Sequence, residues 1–307
     1  VTYNHEQSIS KCLDSILSQK TKYNYLIKVL DDCSTDGTTE IIMDYATRYP
    51  DKIQLCLQPT NTRGMHISAA LRTIDTEYWC MIDGDDWWCV DNKIETALDC
   101  LEQNKEYSMF GHDVWFVDHI KGTKESYVHE RLKFNNIDTL VSTFDFEKYC
   151  YVHMSARIYR NVICWKKDYL LNRKRDFFIF FAYLDKGPLC FYDEKMSEYN
   201  YTTNGVFSSL STYSQRYSNQ YMYFTVNKYL NYRHDKFFTK MFSKGLRKYK
   251  KLFGKRLGWY LFMKKTKFKL LKNAFKSHRR TLNNIERGHN LFPKSFLDFC
   301  KSQESES

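Results

Sequence analysis

The sequence predicts an α/β fold with a mostly parallel sheet, and three observations support this fold class. Short apolar runs alternate with segments whose apolar residues recur every three or four positions, through roughly the first hundred residues. Polar residues follow each apolar run, as they do at the carboxyl ends of parallel strands that bind ligands. A hydrophobic fraction of 43%, with only 11 Gly and 4 Pro, suits a packed core without long linkers.

The elements of this first part follow in a strand–helix order. Apolar residues at 9, 12, 13, 16 and 17 share one helical face, and the short runs that come next have the length of buried strands. In chain order we predict strands at 1–3, 25–30, 53–57 and 78–82, and helices at 8–19, 36–49, 66–73 and from 91 to about 101.

The pattern is mixed after residue 106. We predict two strands of a hairpin or an added antiparallel edge at 107–111 and 114–117. Residues 133–170 are interpreted as a helical insertion with loops, 176–184 as a helix and 188–192 as a strand. After residue 208 the chain is predicted to be helical, first aromatic and then basic.

The net charge of +11 comes from one segment. Residues 236–280 hold 17 Lys and Arg and no acidic residue, which leaves the rest of the chain at −6. Basic residues interleaved with Phe, Leu, Trp and Tyr favour contact with an anionic membrane surface. A grip on nucleic acid phosphates, or a solvated helical hairpin packed on the body, remains an alternative.

The cysteines and the apolar runs bear on the cellular compartment. The ten cysteines form no CxxC pair and no zinc spacing, which favours a reducing compartment over a secreted disulfide scaffold. No signal peptide is apparent, and no apolar run approaches the ~20 residues that span a bilayer. Since the chain begins at Val1 within an apparent strand, we expect a few residues to precede it.

The acidic run DGDDWW at residues 83–88 is the strongest chemical signal. Three carboxylates within four residues directly follow a predicted strand, and neighbouring carboxylates repel one another unless a cation offsets their charge. Carboxylate oxygens are the ligands that Mg²⁺ and Mn²⁺ prefer. The run therefore indicates a metal and an anionic substrate, and an acidic turn that caps the next helix is the alternative.

Three motifs, in this order, resemble those of the family 2 glycosyltransferases, which are inverting sugar-nucleotide enzymes with a GT-A fold. They are VTYNHE at 1–6, DDCSTDGT at 31–38 with Cys33 in place of a Gly, and DGDDWW at 83–88. Residues 176–208 follow the outline of the family's acceptor half more loosely. The resemblance implies a GT-A domain at 1–210, with a donor half at 1–105 and an acceptor half at 106–210. A helical basic region at 211–307 follows it.

The resemblance also implies roles for individual residues. Asp85 would bind the metal and Asp83 would approach the ribose and metal-bound waters, whereas Asp32 would accept N3–H of uracil. Arg63 would reach the pyrophosphate, and of the two adjacent Trp residues we expect one to face the sugar and one to be core. The implied donor-binding residues are Thr2, Tyr3, Glu6, Asp32, Arg63, Asp83, Trp87 and Trp88, and the implied metal ligands are Asp85 and Asp83.

Inversion by one displacement needs a carboxylate that takes the proton of the attacking hydroxyl. The resemblance implies that Asp176, at the start of a predicted helix, is this base, and Asp113 is the alternative. Thr202 stands where the family often has a His that approaches the metal, and His153 is assigned a structural role or a place in the acceptor pocket.

The expected function is transfer of a sugar from a nucleotide sugar, UDP-linked, to a glycan or lipid-linked acceptor, with Mn²⁺ or Mg²⁺ as cofactor. The resemblance implies a role in lipopolysaccharide or capsule synthesis, in the cytoplasm at the inner face of the membrane. A metal-dependent nucleotidyltransferase is the first rival, but the first strand lacks a basic loop for a triphosphate. A nucleic-acid binder is the second, but the body of the chain is acidic.

Overall fold

The computed structural model describes residues 1–62, 64–133, 140–148, 150–165, 175–202, 222–223 and 225–241. The chain divides into two compact units, Val1–Ser208 and Ser209–Ser307. Most of the predicted basic segment, residues 242–280, lies outside the described residues. No described helix combines the length and the apolar character needed to cross a membrane.

The first unit alternates strands and helices and then becomes rich in strands. The nine strands that the structure describes are β1 (Ile27–Asp31), β2 (Ile53–Leu57), β3 (Tyr78–Cys80), β4 (Trp87–Trp88), β5 (Met109–Asp118), β6 (Thr123–Ser126), β7 (Val141–Phe144), β8 (Ile158–Arg160) and β9 (Leu189–Tyr201). The described α-helices of this unit are α1 (Ile9–Leu17), α2 (Thr38–Arg48), α3 (Met65–Arg72), α4 (Lys93–Gln103) and α5 (Arg175–Leu184). A π-helical turn spans Tyr127–Arg131, and a 3-10 turn spans Met154–Ala156.

The first part of the unit contains part of the predicted parallel sheet, but the predicted strand at 78–82 (β3) pairs antiparallel with β8 instead. β1 pairs with β2 in parallel, and Thr2 forms a parallel bridge with Asp31. The first residues also contact the segment after β3. The amino nitrogen of Val1 donates to the carbonyl oxygen of Ile82, and the carbonyl oxygen of Val1 accepts from the N–H of Gly84, both at 2.8 Å. The first residues of the chain therefore lie between β1 and the segment that leads into the acidic run.

The second part is a mixed sheet built around β5 and β9, which run parallel to each other. Antiparallel partners flank them: β8 and β6 pair with β5, β7 and β4 pair with β9, and β3 pairs with β8. The register between β5 and β9 shifts on either side of Asp113. Such a bulge redirects side chains locally and often lies beside a functional site.

Two predictions for this second part are wrong. Residues 107–117 are not two strands of a hairpin, because β5 continues through Gly111 and Asp113 and forms its hairpin with β6 instead. The described residues between 140 and 165 hold two strands and a 3-10 turn rather than a helical insertion. The helix at 176–184 and the strand at 188–192 are confirmed, although β9 extends to Tyr201.

The helices cover the parallel part with the apolar faces that the sequence predicts. α1 buries Ile9, Cys12, Leu13 and Ile16, and α4 buries Ile94, Ala97, Leu98 and Leu101.

Cys100 and Cys190 form a disulfide, which the cysteine spacing did not predict, and the seven other described cysteines are free.

Candidate active site

The acidic turn at residues 83–86 packs directly against the start of the chain. A Cβ atom at Gly84 would lie 2.7 Å from Nδ1 of His5 and 3.0 Å from Oγ1 of Thr2. Only glycine permits so close an approach, because any side chain would collide with these atoms. The turn and the first strand end are therefore in contact, as expected for two polar strand ends at one edge of a sheet.

The three carboxylates of the turn have different surroundings. Asp86 is buried, and its Oδ1 accepts the backbone N–H of Asn200 at 2.9 Å. The side chain of Asp85 is 29% exposed, and its Oδ2 lies 3.9 Å from Nε2 of His5. Among the described residues, no other residue donates a hydrogen bond to the carboxylate of Asp83 or Asp85. These two groups therefore have acceptor oxygens available for a ligand.

Burial raises the pKa values of the three carboxyl groups in the turn, although the charge of the Val1 amino group acts to lower those of Asp83 and Asp85. Burial, followed by the charge of Asp85, raises the pKa of Asp83 from 3.8 to about 6. Burial also raises the pKa of Asp85, and burial together with the charges of Asp85 and Asp83 raises the pKa of Asp86 well above its ordinary value. A bound cation would offset these charges and restore full ionisation. The available oxygens of Asp83 and Asp85 fit Mg²⁺ or Mn²⁺.

Asn200, near the end of β9, fixes the acidic turn from the opposite side. Besides its backbone contact with Asp86, its side-chain Nδ2 donates to the carbonyl oxygen of Asp85 at 2.9 Å. Its Oδ1 accepts from Nε2 of His119 at 2.8 Å. This residue could not be predicted from the sequence, since its partners are more than eighty residues away.

His153 belongs to the surroundings of Asp86. Its Nδ1 lies 3.9 Å from Oδ2 of Asp86 and 2.8 Å from Oγ of Ser155. Its ring stacks on Tyr199 with centroids 3.9 Å apart and an interplanar angle of 17°. Burial lowers the pKa of His153 to about 3, so the imidazole is neutral at neutral pH. The structural role assigned to His153 fits these contacts.

A buried lysine lies beneath the same turn. Lys93 is fully buried at the start of α4, donates to the carbonyl oxygen of Ser155 and lies 4.3 Å from the ring centroid of Trp88. Burial lowers its pKa to about 7. Its charge acts to lower the pKa of Asp86. A lysine in a helix is usually solvated, so the sequence did not single it out.

The residues of the first motif differ in what they can offer a nucleotide. Thr2 is buried, and both of its backbone groups are hydrogen-bonded within the parallel sheet. Glu6 accepts the N–H of Gly37 at 2.8 Å, which ties it to the start of α2. The side chain of Tyr3 is 41% exposed. Of the three predicted residues, Tyr3 presents the accessible aromatic face.

Asp32 holds the loop that follows β2. Its Oδ1 accepts the N–H and the hydroxyl of Thr62 at 2.7 and 2.6 Å, and its Oδ2 accepts the N–H of Gly64 at 2.7 Å. Burial acts to raise the pKa of Asp32, but these hydrogen bonds outweigh it and lower the pKa. Arg63 lies outside the described residues, between two residues that Asp32 anchors. Asp31 accepts the hydroxyls of Ser34 and Thr39.

One of the two tryptophans is a core residue, as expected. Trp88 is 5% exposed and belongs to the hydrophobic core. The side chain of Trp87 is partly buried, and Nζ of Lys11 lies 3.5 Å from its ring centroid. Adjacent strand residues point to opposite faces of a sheet, so Trp87 remains the candidate for contact with a sugar and Trp88 is a packing residue.

Asp176 lies in the first turn of α5 and is partly buried. Its Oδ2 accepts the hydroxyl of Tyr151 at 2.7 Å, and its carbonyl oxygen accepts from Arg157 at 2.9 Å. Its charge is among those that raise the pKa of Asp83. The structure therefore brings the predicted base within electrostatic range of the acidic turn.

Asp113, the alternative base, is fully buried and already hydrogen-bonded. Its Oδ1 accepts the N–H groups of Val114 and Val128, both at 2.8 Å, and its Oδ2 accepts the hydroxyl of Ser126. Lys195 lies 3.8 Å from the same Oδ2. An attacking hydroxyl has no evident approach to this carboxylate.

Asp113, His129 and Asp193 nevertheless form a group whose ligand atoms lie within 4.8 Å of one another. Nε2 of His129 is 2.6 Å from Oδ1 of Asp193. Such a group can hold a cation, although the ammonium of Lys195 already supplies positive charge beside Asp113. The sequence did not predict this cluster, because the β5–β9 bulge that assembles it has no sequence signature.

Part of the chain is similar in sequence to known bacterial proteins. An uncharacterized protein of Mycobacterium tuberculosis is 32% identical over 128 residues, which cover 41% of this chain and 36% of that protein. The dTDP-rhamnosyl transferase RfbG of Shigella flexneri is 35% identical over 108 residues, which cover 34% of this chain and 37% of RfbG. These matches span little more than a third of each relative.

A crystal structure of S. aureus TarS in complex with UDP is similar in fold. The TM-score is 0.51 at 16% sequence identity, and the match covers 73% of this chain and 62% of that chain. The model of glycosyl transferase family 2 matches residues 1–166, which is more than half of the 307 residues. The chain therefore belongs to glycosyl transferase family 2.

Proposed function

We propose that this chain transfers a sugar, with inversion, from a pyrimidine nucleoside diphosphate sugar to a hydroxyl group of a glycan or lipid-linked acceptor. The observation that carries the proposal is the acidic turn, whose Asp83 and Asp85 carboxylates accept no hydrogen bond from another described residue. Carboxylates in this state are suited to a ligand that brings positive charge to them.

A divalent cation, Mg²⁺ or Mn²⁺, would be held by Asp85 and Asp83. When bound, it supplies Lewis acidity that stabilises the charge developing on the departing nucleoside diphosphate. Asn200 holds the turn in place through Asp85 and Asp86, so the protein fixes the two ligands before the donor arrives.

Asp176 acts as the general base. The acceptor hydroxyl attacks C1 of the sugar while its proton passes to the Asp176 carboxylate, and the bond from C1 to the phosphate oxygen breaks with its electron pair on the diphosphate. One displacement of this kind inverts the configuration at C1. The electrostatic coupling between Asp176 and Asp83 supports a position for the base on the side of the donor site.

The nucleotide would contact the first two motifs. The exposed ring of Tyr3 suits stacking on a base. Asp32 binds Thr62 and Gly64, the neighbours of Arg63 in the sequence, and we assign Arg63 to the diphosphate. Uracil and thymine both present N3–H between two carbonyl groups. The names of the relatives include a dTDP-rhamnosyl transferase, and TarS was solved with UDP, so both nucleotides belong in a donor screen.

The acceptor and the location remain part of the proposal. We assign a surface polysaccharide or its lipid carrier as acceptor, and a cytoplasmic location at the inner face of the membrane. The basic and aromatic residues at 236–280 support contact with anionic lipid. Family membership argues against the nucleotidyltransferase, and the acidic body argues against a nucleic-acid binder.

Donor hydrolysis and transfer test the proposal. UDP- and dTDP-sugars are screened with and without Mn²⁺, on the wild type and on Asp85→Ala. Asp193→Asn, in the other cation-binding cluster, is the matched control. We expect metal-dependent turnover that Asp85→Ala abolishes and Asp193→Asn retains. If only Asp193→Asn loses the metal dependence, the catalytic metal binds at the Asp113–His129–Asp193 cluster instead. If Asp85→Ala keeps full activity, the proposed metal site at Asp83 and Asp85 is refuted.

A second variant tests the base. Asp176→Asn should lose transfer and retain nucleotide binding, measured by calorimetry. Loss of both would indicate that Asp176 holds the fold rather than the reacting proton.

A further inference from the structure

Arg157 is a fully buried cation that has no carboxylate within ion-pair distance among the described residues. Its NH1 donates to the carbonyl oxygen of Asp176 at 2.9 Å, its Nε donates to that of His153 at 3.2 Å, and its NH2 donates to the hydroxyl of Tyr151 at 3.2 Å. A buried guanidinium is costly unless its charge is balanced nearby. The anion connected to it by hydrogen bonds is the Asp176 carboxylate.

Tyr151 connects the two charges. Its hydroxyl accepts from Arg157 and donates to Oδ2 of Asp176 at 2.7 Å. Its ring is fixed by stacking on Phe177, with centroids 4.0 Å apart and an interplanar angle of 7°. The ring therefore cannot turn away without losing the stack, and the hydroxyl is aimed at one oxygen of the carboxylate.

We propose that Tyr151 and Arg157 are positioning residues for the general base: they hold the Asp176 side chain and backbone in the orientation that receives the proton of the acceptor hydroxyl. The inference rests on the proposed role of Asp176. Tyr151 occupies Oδ2, so Oδ1, to which no described residue donates, takes the proton of the acceptor. Because Arg157 also holds the carbonyl oxygen of Asp176, both ends of the residue are fixed.

The surrounding charges agree with this role. Burial, followed by the charge of Asp176, raises the pKa of Tyr151, so its hydroxyl remains a proton donor at neutral pH. Burial, and after it the charge of Asp176 among others, raises the pKa values of Asp83, Tyr127 and Tyr159. Arg157 is the cation on which the charge of Asp176 also acts.

Tyr151→Phe is the direct test, because it removes the hydroxyl and keeps the ring stack. We expect kcat to fall about tenfold to a hundredfold with KM for the donor unchanged, since misplacement of a reacting group has an effect of that size. Arg157→Gln should likewise lower kcat and leave the KM for the donor unchanged, because it releases the carbonyl oxygen of Asp176 and the hydroxyl of Tyr151.

Tyr183→Phe is the matched control, because it removes another buried hydroxyl of the same core, one that accepts from Trp79 at 2.8 Å. It should keep the wild-type kcat and the wild-type KM for the donor. Thermal melting and nucleotide binding are measured for every variant, so that a folding defect is recognised. An unchanged kcat in folded Tyr151→Phe overturns the positioning role while Asp176 remains the base. Full transfer by Asp176→Asn overturns the proposed base itself.

Discussion

Asp83→Asn should make the protein more stable and less able to bind its cation. In the absence of metal, the pKa of Asp83 is raised from 3.8 to about 6 by burial and by the neighbouring charge of Asp85. At about 1.4 kcal/mol for each tenfold change in proton affinity, the ionised side chain destabilises the fold by about 3 kcal/mol. Asparagine has a similar shape and carries no charge, so the substitution removes this cost.

The pH dependence has a definite sign. The folded protein holds the Asp83 proton more tightly than the unfolded chain does, so between about pH 4 and pH 6 the folded state binds more protons. The free energy of unfolding of the wild type therefore falls as the pH rises through this window. The two proteins should be equally stable near pH 4. At pH 7.5 the variant should be more stable by about 3 kcal/mol, which corresponds to a Tm higher by about 6–12 °C.

Urea denaturation at pH 4 and 7.5, with and without Mn²⁺, measures both effects. Saturating Mn²⁺ should stabilise the wild type by about 2.7 kcal/mol at a hundredfold excess over Kd and should stabilise Asp83→Asn much less. Asp51→Asn, at an exposed carboxylate, is the control and should change little at either pH. If Asp83→Asn is no more stable than the wild type at pH 7.5 without metal, the reasoning about uncompensated charge in the acidic turn is refuted.

Three further substitutions test the supports of the site. Asn200→Ala removes the donor to the Asp85 carbonyl and the acceptor for His119, and unfolding should become easier by about 2–3 kcal/mol in urea melts. Trp88→Ala should lower stability by about 3–5 kcal/mol by leaving a core cavity, with relative rates across donor sugars unchanged in the transfer assay. Gly187→Ala would place a Cβ atom 2.4 Å from the carbonyl oxygen of Glu106, and thermal melting should show a loss of about 1–3 kcal/mol.

The parallel part of the fold could be predicted because its signals are local. Each strand and helix of this part has its own apolar period, and each strand end has its own polar residues, so short stretches of sequence suffice. The split between Trp87 and Trp88 was also predictable, since adjacent strand residues face opposite ways. The continuity of β5 could not be predicted, because its signal is not local. The bulge at Asp113 depends on pairing with β9, some eighty residues later.

The residues that support the site could not be predicted, because their roles depend on distant partners. Arg157 and Lys93 look like ordinary surface cations in the sequence, yet both are fully buried. Asn200 reaches the acidic turn across 115 residues of chain. In each case the fold assigns the partner, and residue type alone carries no information about it.

Hydrogen-bond partners separate six aspartates of this unit into two groups that the sequence cannot distinguish. Asp31, Asp32, Asp86 and Asp113 each accept hydrogen bonds from neighbouring segments, and they fix the turns and loops in which they lie. Asp83 and Asp85 receive none from other described residues, although burial makes their charges costly. A fold that supplies donors to its other buried carboxylates is not expected to leave the oxygens of this pair without donors unless a ligand takes them. The acceptor oxygens of Asp83 and Asp85, to which no other described residue donates, are therefore the feature of the acidic turn that most directly predicts its chemistry.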